Sequence, residues 1–542
     1  MKHLSAPLLL GMILHPASGG LLEDAEAAVN ASVVDIETMY SELFGGQLEI
    51  TAACEWYDAC DIPPVSSETC SVIPDWETSG TPFHSMCDAS SSAQSYPEQP
   101  DCPATTHTTC SLDVSYSASN IKLVTGSDPY SKNMREAVCV LSDLDRLWEE
   151  DYVEILDLNN YPENIYASVG DTGSFIQYPA VEWQGCPDTY DPRFRPWYSS
   201  AATGPKNVII IIDTSGSMGS YSRMSLAKEA ATKVLNTLND YDYIGIVEFD
   251  TEASRYSTRM KQFTTNEACL ISDYIDDLYA SGGTNFIGAF DEAFDMYEAS
   301  IASGDVSACD LTAMLFLTDG EAPSPVSTVA SRNANHTVKI LTYALGSSAD
   351  NEHMIDVACA NGGAAFQIPD DGDLGTIMAS YYNLLAASIV PETVRPTWVR
   401  YRVWTSGNFI GSVCKSAFHR NTDGVERLYG VACADLTEDH IQDWSEYEAF
   451  EDRLTASSQY CPTFTTPSDN QLELIRQTLP GAPFSCSFRE PVDQTVDEDD
   501  DFEAPTPCTT TPGTTTTQAT VATVHTAVAV ATVVSLTFWQ FS

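Results

Sequence analysis

With 542 residues, the chain exceeds what one ordinary hydrophobic core can hold and predicts several structural units. Its 77 acidic and 25 basic side chains give a formal net charge of -52, a field that repels the phosphates of nucleic acids and anionic lipids. This charge argues against nucleic acid as a partner. It attracts divalent cations or a basic protein face, and it equally suits a solvated surface in a salty medium.

Residues 1–19 have the features of a secretory signal peptide. Lys2 gives a positive start, residues 8–14 an apolar stretch, and residues 17–19 a small-residue cleavage context. The apolar stretch is too short for a membrane-spanning helix, which needs about 20 residues. We therefore predict export, with the mature chain beginning near Gly20.

All 16 cysteines follow this segment, and their even number favours disulfides in an oxidising compartment. No Cys-x-x-Cys pair occurs, so metal or redox chemistry is the weaker alternative. Residues 20–130 form a cysteine-rich region, where the cysteines from Cys54 to Cys110 predict a disulfide-stapled, loop-rich segment. Asn30 and Asn335 open Asn-x-Ser/Thr tripeptides and are predicted glycosylation sites, in agreement with export.

Residues 131–204 differ from the cysteine-rich region in their apolar periodicity. Val138, Leu141 and Leu144 recur at helical spacing and predict a helix. The segment ends in a stretch, residues 190–198, that is dense in basic and aromatic side chains. Its prolines predict an irregular conformation.

Residues 205–390 alternate apolar runs with amphipathic helices. Continuous apolar runs predict buried strands at residues 208–212, 243–249, 313–317 and 338–345. Helical spacing predicts helices through Leu226, Ala230, Val234 and Leu238, through Phe286, Phe290 and Phe294, and over residues 377–387. This alternation predicts an α/β fold with a doubly wound, mostly parallel sheet, which binds ligands beyond the carboxyl ends of its strands.

The C-terminal end carries a second targeting signal. Residues 491–517 are acidic and then rich in Thr and Pro, which predicts an extended stalk. Residues 518–542 contain an apolar tail with no Lys or Arg after it, a pattern that favours a GPI-attachment signal over a single membrane span. Gly513 or a neighbouring Thr is the predicted attachment point. Either alternative anchors the chain at the outer face of the plasma membrane.

Oxygen-bearing side chains follow two of the predicted strands and precede one predicted helix. Asp213, Ser215 and Ser217 come directly after the first strand, Thr284 lies before the phenylalanine-rich helix, and Asp319 follows the third strand. Because the carboxyl ends of parallel strands meet at one edge of a sheet, we expect these side chains to converge. Hydroxyl and carboxylate oxygens suit a hard cation, so we predict a site for Mg2+ or Ca2+.

Few formal negative charges would touch this cation. It would stay electrophilic, and a carboxylate from a protein partner would be able to complete its coordination. Such a site serves binding rather than hydrolysis.

Two other interpretations of these loops fail on the sequence. A serine-hydrolase elbow requires Gly-x-Ser-x-Gly, but Ser215 stands two residues before Ser217. An EF-hand loop requires spaced acids and a distal Glu, which neither residues 370–373 nor the acidic run near Asp499 supply. We therefore expect no catalytic residues here.

The series Asp213-x-Ser215-x-Ser217, Thr284 and Asp319 resembles the metal-ion-dependent adhesion site of von Willebrand factor A domains. All five elements are present in order and in the expected strand-end contexts. The resemblance implies a domain that binds a divalent cation and uses it to engage a ligand.

The flanking segments resemble the alpha-2/delta auxiliary subunits of voltage-gated calcium channels, where an Arg-Pro-Trp-Tyr stretch like that in residues 190–198 precedes the A domain. Further matches lie at residues 308–310, 357–363 and 430–436. The resemblance covers residues 137–441 and implies that the A domain is inserted in a Cache-type domain, with halves at residues 131–204 and 391–490. Phe194 departs from the family, which has a run of arginines there.

Cache domains of this kind often bind amino acids or similar small molecules, and the resemblance implies such a site here. Arg195 would hold a carboxylate, with Trp197 beside it, while Tyr401 and Asp435 would hold an ammonium group. A structural interpretation stays open, in which Arg195 pairs with a local acid and Trp197 fills the core.

These patterns predict an extracellular, membrane-anchored binding protein without enzymatic activity. Its partner would offer an acidic side chain, as a calcium-channel pore subunit or an adhesion partner would. The alternative is a Cache-type sensor of amino-acid-like ligands, with the A domain as scaffold. A wall or matrix component is a third hypothesis, which only the Thr-rich stalk favours.

Overall fold

The computed structural model describes residues 21–44, 84–85, 113–115, 119–124, 131–148, 164–178, 180–181, 190–346, 349, 351–370, 372–402, 409–420, 426–437, 444–477, 479–481 and 483–486. The predicted signal peptide, most of the cysteine-rich region, the stalk with Gly513 and the C-terminal tail lie outside these residues. Within them, no helix combines the length and the apolar character that crossing a membrane requires.

The described strands in chain order are β1 (His84–Ser85), β2 (Asp113–Ser115), β3 (Asn120–Lys122), β4 (Ile165–Val169), β5 (Phe175–Tyr178), β6 (Ala180–Val181), β7 (Lys206–Asp213), β8 (Tyr243–Phe249), β9 (Ala253–Arg255), β10 (Lys261–Gln262), β11 (Leu311–Thr318), β12 (Val338–Leu345), β13 (Ala365–Ile368), β14 (Thr397–Arg402), β15 (Phe409–Arg420) and β16 (Glu426–Thr437).

The described α-helices are α1 (Leu21–Phe44), α2 (Lys132–Leu147), α3 (Pro196–Thr203), α4 (Arg223–Leu235), α5 (Thr265–Asp277), α6 (Phe286–Ser303), α7 (Val326–Arg332), α8 (Asn351–Ala360), α9 (Leu374–Ala379), α10 (Tyr382–Ala386), α11 (Trp444–Ser458) and α12 (Asp469–Arg476). Short 3-10 helices cover Pro192–Phe194, Gly216–Gly219 and Pro391–Thr393.

The central sheet is mostly parallel, as the alternation of strands and helices predicts. Its order is β10-β8-β7-β11-β12-β13; β9 also pairs with β8, and only β9 and β10 run antiparallel to their neighbour. The strands predicted at residues 243–249 and 338–345 have those bounds, and the other two are slightly longer. The α/β prediction is therefore confirmed for this sheet.

Strand β7 shows why a continuous apolar run forms a central strand. Successive side chains point to opposite faces, so Val208, Ile210 and Ile212 pack in one core with helix α4. Ile209 and Ile211 face a second core with the phenylalanines of α6. Both faces are covered, which is the environment that parallel strands require.

A second large sheet is antiparallel, with the order β14-β15-β16-β4-β5-β3. We call it the frame sheet, because its strands come from both sides of the parallel sheet along the chain. One face of β4 buries Ile165 and Ala167 against helices α1 and α2, and the other buries Tyr166 in the core shared with α3 and α4. The frame sheet thus lies between the parallel-sheet domain and the N-terminal helices.

Helix α1 lies inside the predicted cysteine-rich region, before the segment from Cys54 to Cys110 that was expected to be loop-rich. Its buried face carries Val29, Val33, Ile36 and Tyr40 at helical spacing. The Tyr40 ring lies 4.4 Å from that of Tyr429 on β16, centroid to centroid. This part of the region is therefore a helix packed on the frame sheet.

The stretch at residues 190–198 is helical, which corrects the prediction of an irregular conformation. A 3-10 turn covers Pro192–Phe194, and α3 begins at Pro196. Proline at the first position of a helix loses no hydrogen bond and has a suitable φ angle. The prolines therefore begin these helices and do not prevent them.

The helix predicted over residues 377–387 is interrupted, forming α9 and α10. The Ser380 hydroxyl donates to the carbonyl of Ile377 at 2.7 Å, a local bond that competes with helix continuation. The helix predicted from Val138 onward is found as α2.

Disulfides support the prediction of an oxidising compartment. The described pairs are Cys309–Cys461, Cys359–Cys486 and Cys414–Cys433. The first two close loops of 152 and 127 residues and join the parallel-sheet domain to the segment after α11, whereas the third lies within the β15–β16 hairpin. Cys269 on α5 is free and exposed.

Candidate metal centre

Two carboxylates lie side by side at the carboxyl edge of the parallel sheet. Asp213 is the last residue of β7, and Asp319 directly follows β11. These strands are neighbours, with Ile212 opposite Leu317. The convergence expected from the strand ends is therefore present in the structure.

The three hydroxyl residues reach the same edge. Ser215 Oγ lies 3.0 Å from Ser217 Oγ, which donates to Asp319 Oδ1 at 2.7 Å. Gly320 lies between Thr284 and Asp213: a Cβ atom built on it would lie 3.1 Å from Thr284 Oγ1 and 3.7 Å from an oxygen of Asp213. Thr284 and Asp213 therefore face the same small space. The structure thus brings all five predicted metal ligands together.

Backbone hydrogen bonds fix the loops that carry these side chains. The amide of Gly216 donates to the carbonyl of Gly282 at 3.2 Å, and that of Ser281 donates to the carbonyl of Thr214 at 2.7 Å. Asn285 caps helix α6 through its side chain, which accepts from the amide of Gly288. The loop that holds Thr284 is therefore anchored at both ends.

Asp213 is a buried carboxylate with uncharged hydrogen-bond donors. It accepts from the amide of Ser215 at 2.7 Å and from the hydroxyl of Thr318 at 2.5 Å. Burial raises its pKa from 3.8 to about 6, against these hydrogen bonds, which favour the ionised form. No basic side chain pairs with Asp213 among the described residues, so an external cation would supply the missing positive charge.

The donor set fits a hard divalent cation. Hydroxyl and carboxylate oxygens suit Mg2+ or Ca2+, and water completes the coordination readily. No cluster of three or more His, Cys, Asp or Glu side chains suited to a metal occurs in the described ranges. A cation at this edge would therefore be held by two carboxylates and by neutral oxygens.

Two residues at the site were missed by sequence reasoning. Thr318 binds Asp213, and its place beside Asp319 was the only available signal. Arg223, the first residue of α4, donates to Asp319 Oδ2 at 2.8 Å. Nothing in the sequence pattern predicts that contact.

Asp370 and Asp373, at the two ends of the stretch that does not fit an EF-hand loop, have different hydrogen-bond partners. Asp370 accepts from Arg223 Nε at 2.6 Å. Asp373 caps helix α9, accepting from the amide of Thr376.

Two of the four predicted small-molecule residues, Trp197 and Asp435, lie at an aromatic cluster on one face of the frame sheet. Trp197 is buried, and its ring meets that of Tyr166 edge-on at 5.0 Å. The Tyr166 hydroxyl donates to Asp435 Oδ1 at 2.7 Å, and Ser412 donates to the same oxygen. Trp197 and Asp435 are thus linked through Tyr166, which the sequence did not single out.

Arg195 lies at the edge of this cluster. Its guanidinium carbon is 4.6 Å from the centroid of the Tyr190 ring, a cation–π contact. Its buried Nε has no hydrogen-bond partner among the described residues. Tyr401 pairs with Ile410 in the frame sheet, and its side chain lies outside the described part of the chain.

The two predicted glycosylation sites differ in their surroundings. Asn335 is exposed in the turn after α7. Asn30 is half-buried on α1, where its amide donates to the carbonyl of Glu26 and accepts from Lys415. Both sites stay predictions.

Comparison with known proteins identifies the class of the parallel-sheet domain. The family model for the von Willebrand factor type A domain matches residues 207–380. The human voltage-dependent calcium channel subunit alpha-2/delta-2 is 31% identical over 230 residues, which cover 40% of this chain and 19% of that protein. Mouse inter alpha-trypsin inhibitor heavy chain 4 is 26% identical over 190 residues, which cover 34% and 20%.

A solved von Willebrand factor type A protein from Catenulispora acidiphila is 17% identical, with a TM-score of 0.30, and the match covers 43% of this chain and 58% of that one. The matched segment is about a fifth of the length of the alpha-2/delta relatives. The chain thus contains a von Willebrand factor type A domain and is homologous, over about 40% of its length, to the alpha-2/delta subunits of voltage-dependent calcium channels.

Proposed function

We propose that this chain is an extracellular, membrane-anchored binding protein that uses a divalent cation to bind an acidic side chain of a protein partner. The cation is Mg2+ or Ca2+, and its ligands are Asp213, Ser215, Ser217, Thr284 and Asp319. One observation carries the proposal: Asp213 is a buried carboxylate whose hydrogen-bond donors are all uncharged. A buried charge of this kind requires a compensating charge.

The donor set also favours binding over catalysis. Ser217 is exposed at the edge of the site, so an incoming group has access to a bound cation. Two carboxylates and three hydroxyls leave the cation electrophilic, and a carboxylate from a partner would complete its coordination. The hydroxyls of Ser215 and Ser217 bond to each other, and Ser217 also donates to Asp319; among the described residues, neither hydroxyl bonds to a histidine base.

The homology suggests the kind of partner. The relatives include several alpha-2/delta subunits, so we propose a calcium-channel pore subunit, with another acidic surface in metal-dependent adhesion as the wider alternative. The disulfides and the predicted signal peptide support an extracellular position. The C-terminal tail would provide the anchor, through GPI attachment or a single span.

Affinity capture of the full chain from its own membrane, with and without EDTA, tests this function. We expect a partner that is retained with Mg2+ or Ca2+ and lost with EDTA. Asp213→Ala should lose the partner as EDTA does, whereas Asp277→Ala, a change at the exposed end of α5, should retain it. Equal capture by Asp213→Ala would contradict the proposal.

A second candidate function rests on Arg195. Its buried Nε has no described partner, and it lies beside the cluster that holds Trp197 and Asp435. An amino-acid-like ligand would give this guanidinium a carboxylate to bind. In this alternative the frame sheet belongs to a Cache-type sensor, and the A domain is its scaffold.

A thermal-shift screen with amino acids separates the two functions. A ligand at about a hundred times its dissociation constant stabilises a fold by roughly 2.7 kcal/mol. We expect the shift in the wild type and its loss in Arg195→Ala. If no amino acid shifts the wild type, the sensor alternative is wrong.

A further inference from the structure

Arg223 connects the metal centre to a neighbouring loop. Its Nη1 donates to Asp319 Oδ2 at 2.8 Å, and its Nε donates to Asp370 Oδ1 at 2.6 Å. The side chains of Arg223 and Asp319 are 8% and 0% exposed, whereas that of Asp370 is 35% exposed. The guanidinium therefore forms ion pairs with two acids, the buried Asp319 and the partly exposed Asp370.

The surrounding chain is shaped to admit this guanidinium. Gly346 has a φ of 75°, and a Cβ atom there would lie 2.1 Å from Arg223 Nη2. Tyr221 and Ser222, which lead into α4, both have positive φ angles of 51° and 59°. Left-handed backbone at two non-glycine residues is unfavourable, and this unusual conformation directly precedes Arg223.

The position of Arg223 changes the charge that a cation would meet. Ser217 donates to Asp319 Oδ1, the oxygen on the side of the hydroxyl cluster, while Arg223 holds Oδ2. The negative charge of Asp319 is therefore partly neutralised before any cation binds. A cation held by Asp213 and this shielded carboxylate lacks negative charge, which an external anion can provide.

We propose that Arg223 is a specificity-determining residue of the metal centre: it lowers the affinity of the site for the cation alone and makes binding depend on an external carboxylate. The inference rests on the proposed metal-dependent function, and it identifies Arg223 as the residue that makes the site select a carboxylate ligand. Asp370 opposes this effect, because it draws the guanidinium away from Asp319.

Magnesium titration by calorimetry of the full ectodomain tests the proposal through two variants with opposite expected signs. Arg223→Met removes the positive charge at similar length, and Mg2+ affinity should rise by about tenfold or more. Asp370→Asn leaves the guanidinium on Asp319 alone, and Mg2+ affinity should fall by about threefold. Arg223→Lys retains the charge and should stay within about threefold of the wild type.

Acetate is the probe for the second half of the proposal. At fixed ionic strength, acetate should increase the Mg2+ affinity of the wild type, and this increase should shrink in Arg223→Met because the cation then has more negative charge around it. By thermodynamic linkage, Mg2+ must increase the affinity for acetate by the same factor as acetate increases the affinity for Mg2+. An equal acetate effect in the two proteins would overturn the role in ligand dependence.

General damage to the site would weaken Mg2+ binding in both variants. A higher Mg2+ affinity in Arg223→Met would therefore not be explained by such damage. An unchanged or weaker affinity in a folded Arg223→Met overturns the inference while leaving the proposed function intact. If Arg223→Met does not fold, Asp370→Asn decides: unchanged or tighter binding overturns the inference. If neither the wild type nor Arg223→Met binds Mg2+ or Ca2+, both proposals fail together.

Discussion

Each end of strand β7 has a buried carboxylate beside it, and the two carboxylates differ in the charge of their partners. At the amino end, Lys206 Nζ lies 2.9 Å from Asp242 Oδ2, and neither side chain is exposed. At the carboxyl end, Asp213 is as deeply buried, but its partners are an amide and a hydroxyl. Asp242 is therefore paired with a cationic side chain, whereas Asp213 is not.

This difference indicates which end requires something from outside. A buried ion pair with both partners present is complete, although it contributes little net stability. A buried carboxylate without a cation is destabilising, and binding a metal removes that penalty. Of the two ends of β7, the carboxyl end is therefore the one that gains more from an external cation.

Breaking the internal pair should have the largest effect on stability. Lys206→Met leaves Asp242 buried without its cation, and we expect a loss of about 3–5 kcal/mol in the free energy of unfolding. Urea denaturation measures it. The double variant Lys206→Met/Asp242→Asn should recover part of the loss, and a loss equal to or larger than that of the single variant would contradict this account.

Removing the charge at the other end should stabilise the metal-free chain. Asp213→Asn removes a carboxylate whose pKa burial raises to about 6, so we expect a gain of about 2 kcal/mol at neutral pH in EDTA. The matched change Asp277→Asn, on an exposed residue, should stay within about 0.5 kcal/mol of the wild type. A destabilised Asp213→Asn would mean that the carboxylate is already compensated.

The same pKa predicts how the site responds to pH. Between pH 3.8 and about 6, folded Asp213 keeps a proton that the unfolded chain has lost, so the metal-free chain loses stability as pH rises through that window. A cation must displace the same proton below about pH 6. Mg2+ affinity should therefore fall by about tenfold per pH unit below that point, and calorimetry at two pH values measures it. A flat profile would exclude Asp213 as the titrating ligand.

The smallest effect is expected in the frame sheet, where Asp435 accepts from neutral hydroxyls. Tyr166→Phe removes one of them and keeps the ring against Trp197. We expect a loss of about 1 kcal/mol in stability and no change in Mg2+ affinity. A changed Mg2+ affinity would show that the two regions are energetically coupled.

The sequence predicts the placement of Asp213 and Asp319 well because the relevant signals are local. Apolar runs mark β7 and β11, and the polar residues that follow each run lie at strand ends. Asp213 and Asp319 are therefore predictable from their neighbours in the chain. Their hydrogen-bond partners across loops are not.

The contact of Arg223 and the helix α1 could not be predicted from sequence patterns. The contact of Arg223 with Asp319 joins residues 96 positions apart through a long side chain, which no periodicity reports. The apolar face of α1 contains Ala25 and Ala28, whose small side chains weaken the hydrophobic pattern. Both features depend on tertiary packing, which the sequence pattern does not contain.

Magnesium-dependent stability of the wild type and Asp213→Asn tests the central claim most directly. Unfolding is followed in urea with EDTA and with saturating Mg2+. We predict that Mg2+ stabilises the wild type by at least about 2.7 kcal/mol at a hundredfold excess over its dissociation constant and leaves Asp213→Asn unchanged. Equal stabilisation of the two proteins, or none in the wild type with either Mg2+ or Ca2+, would contradict a cation site built on Asp213.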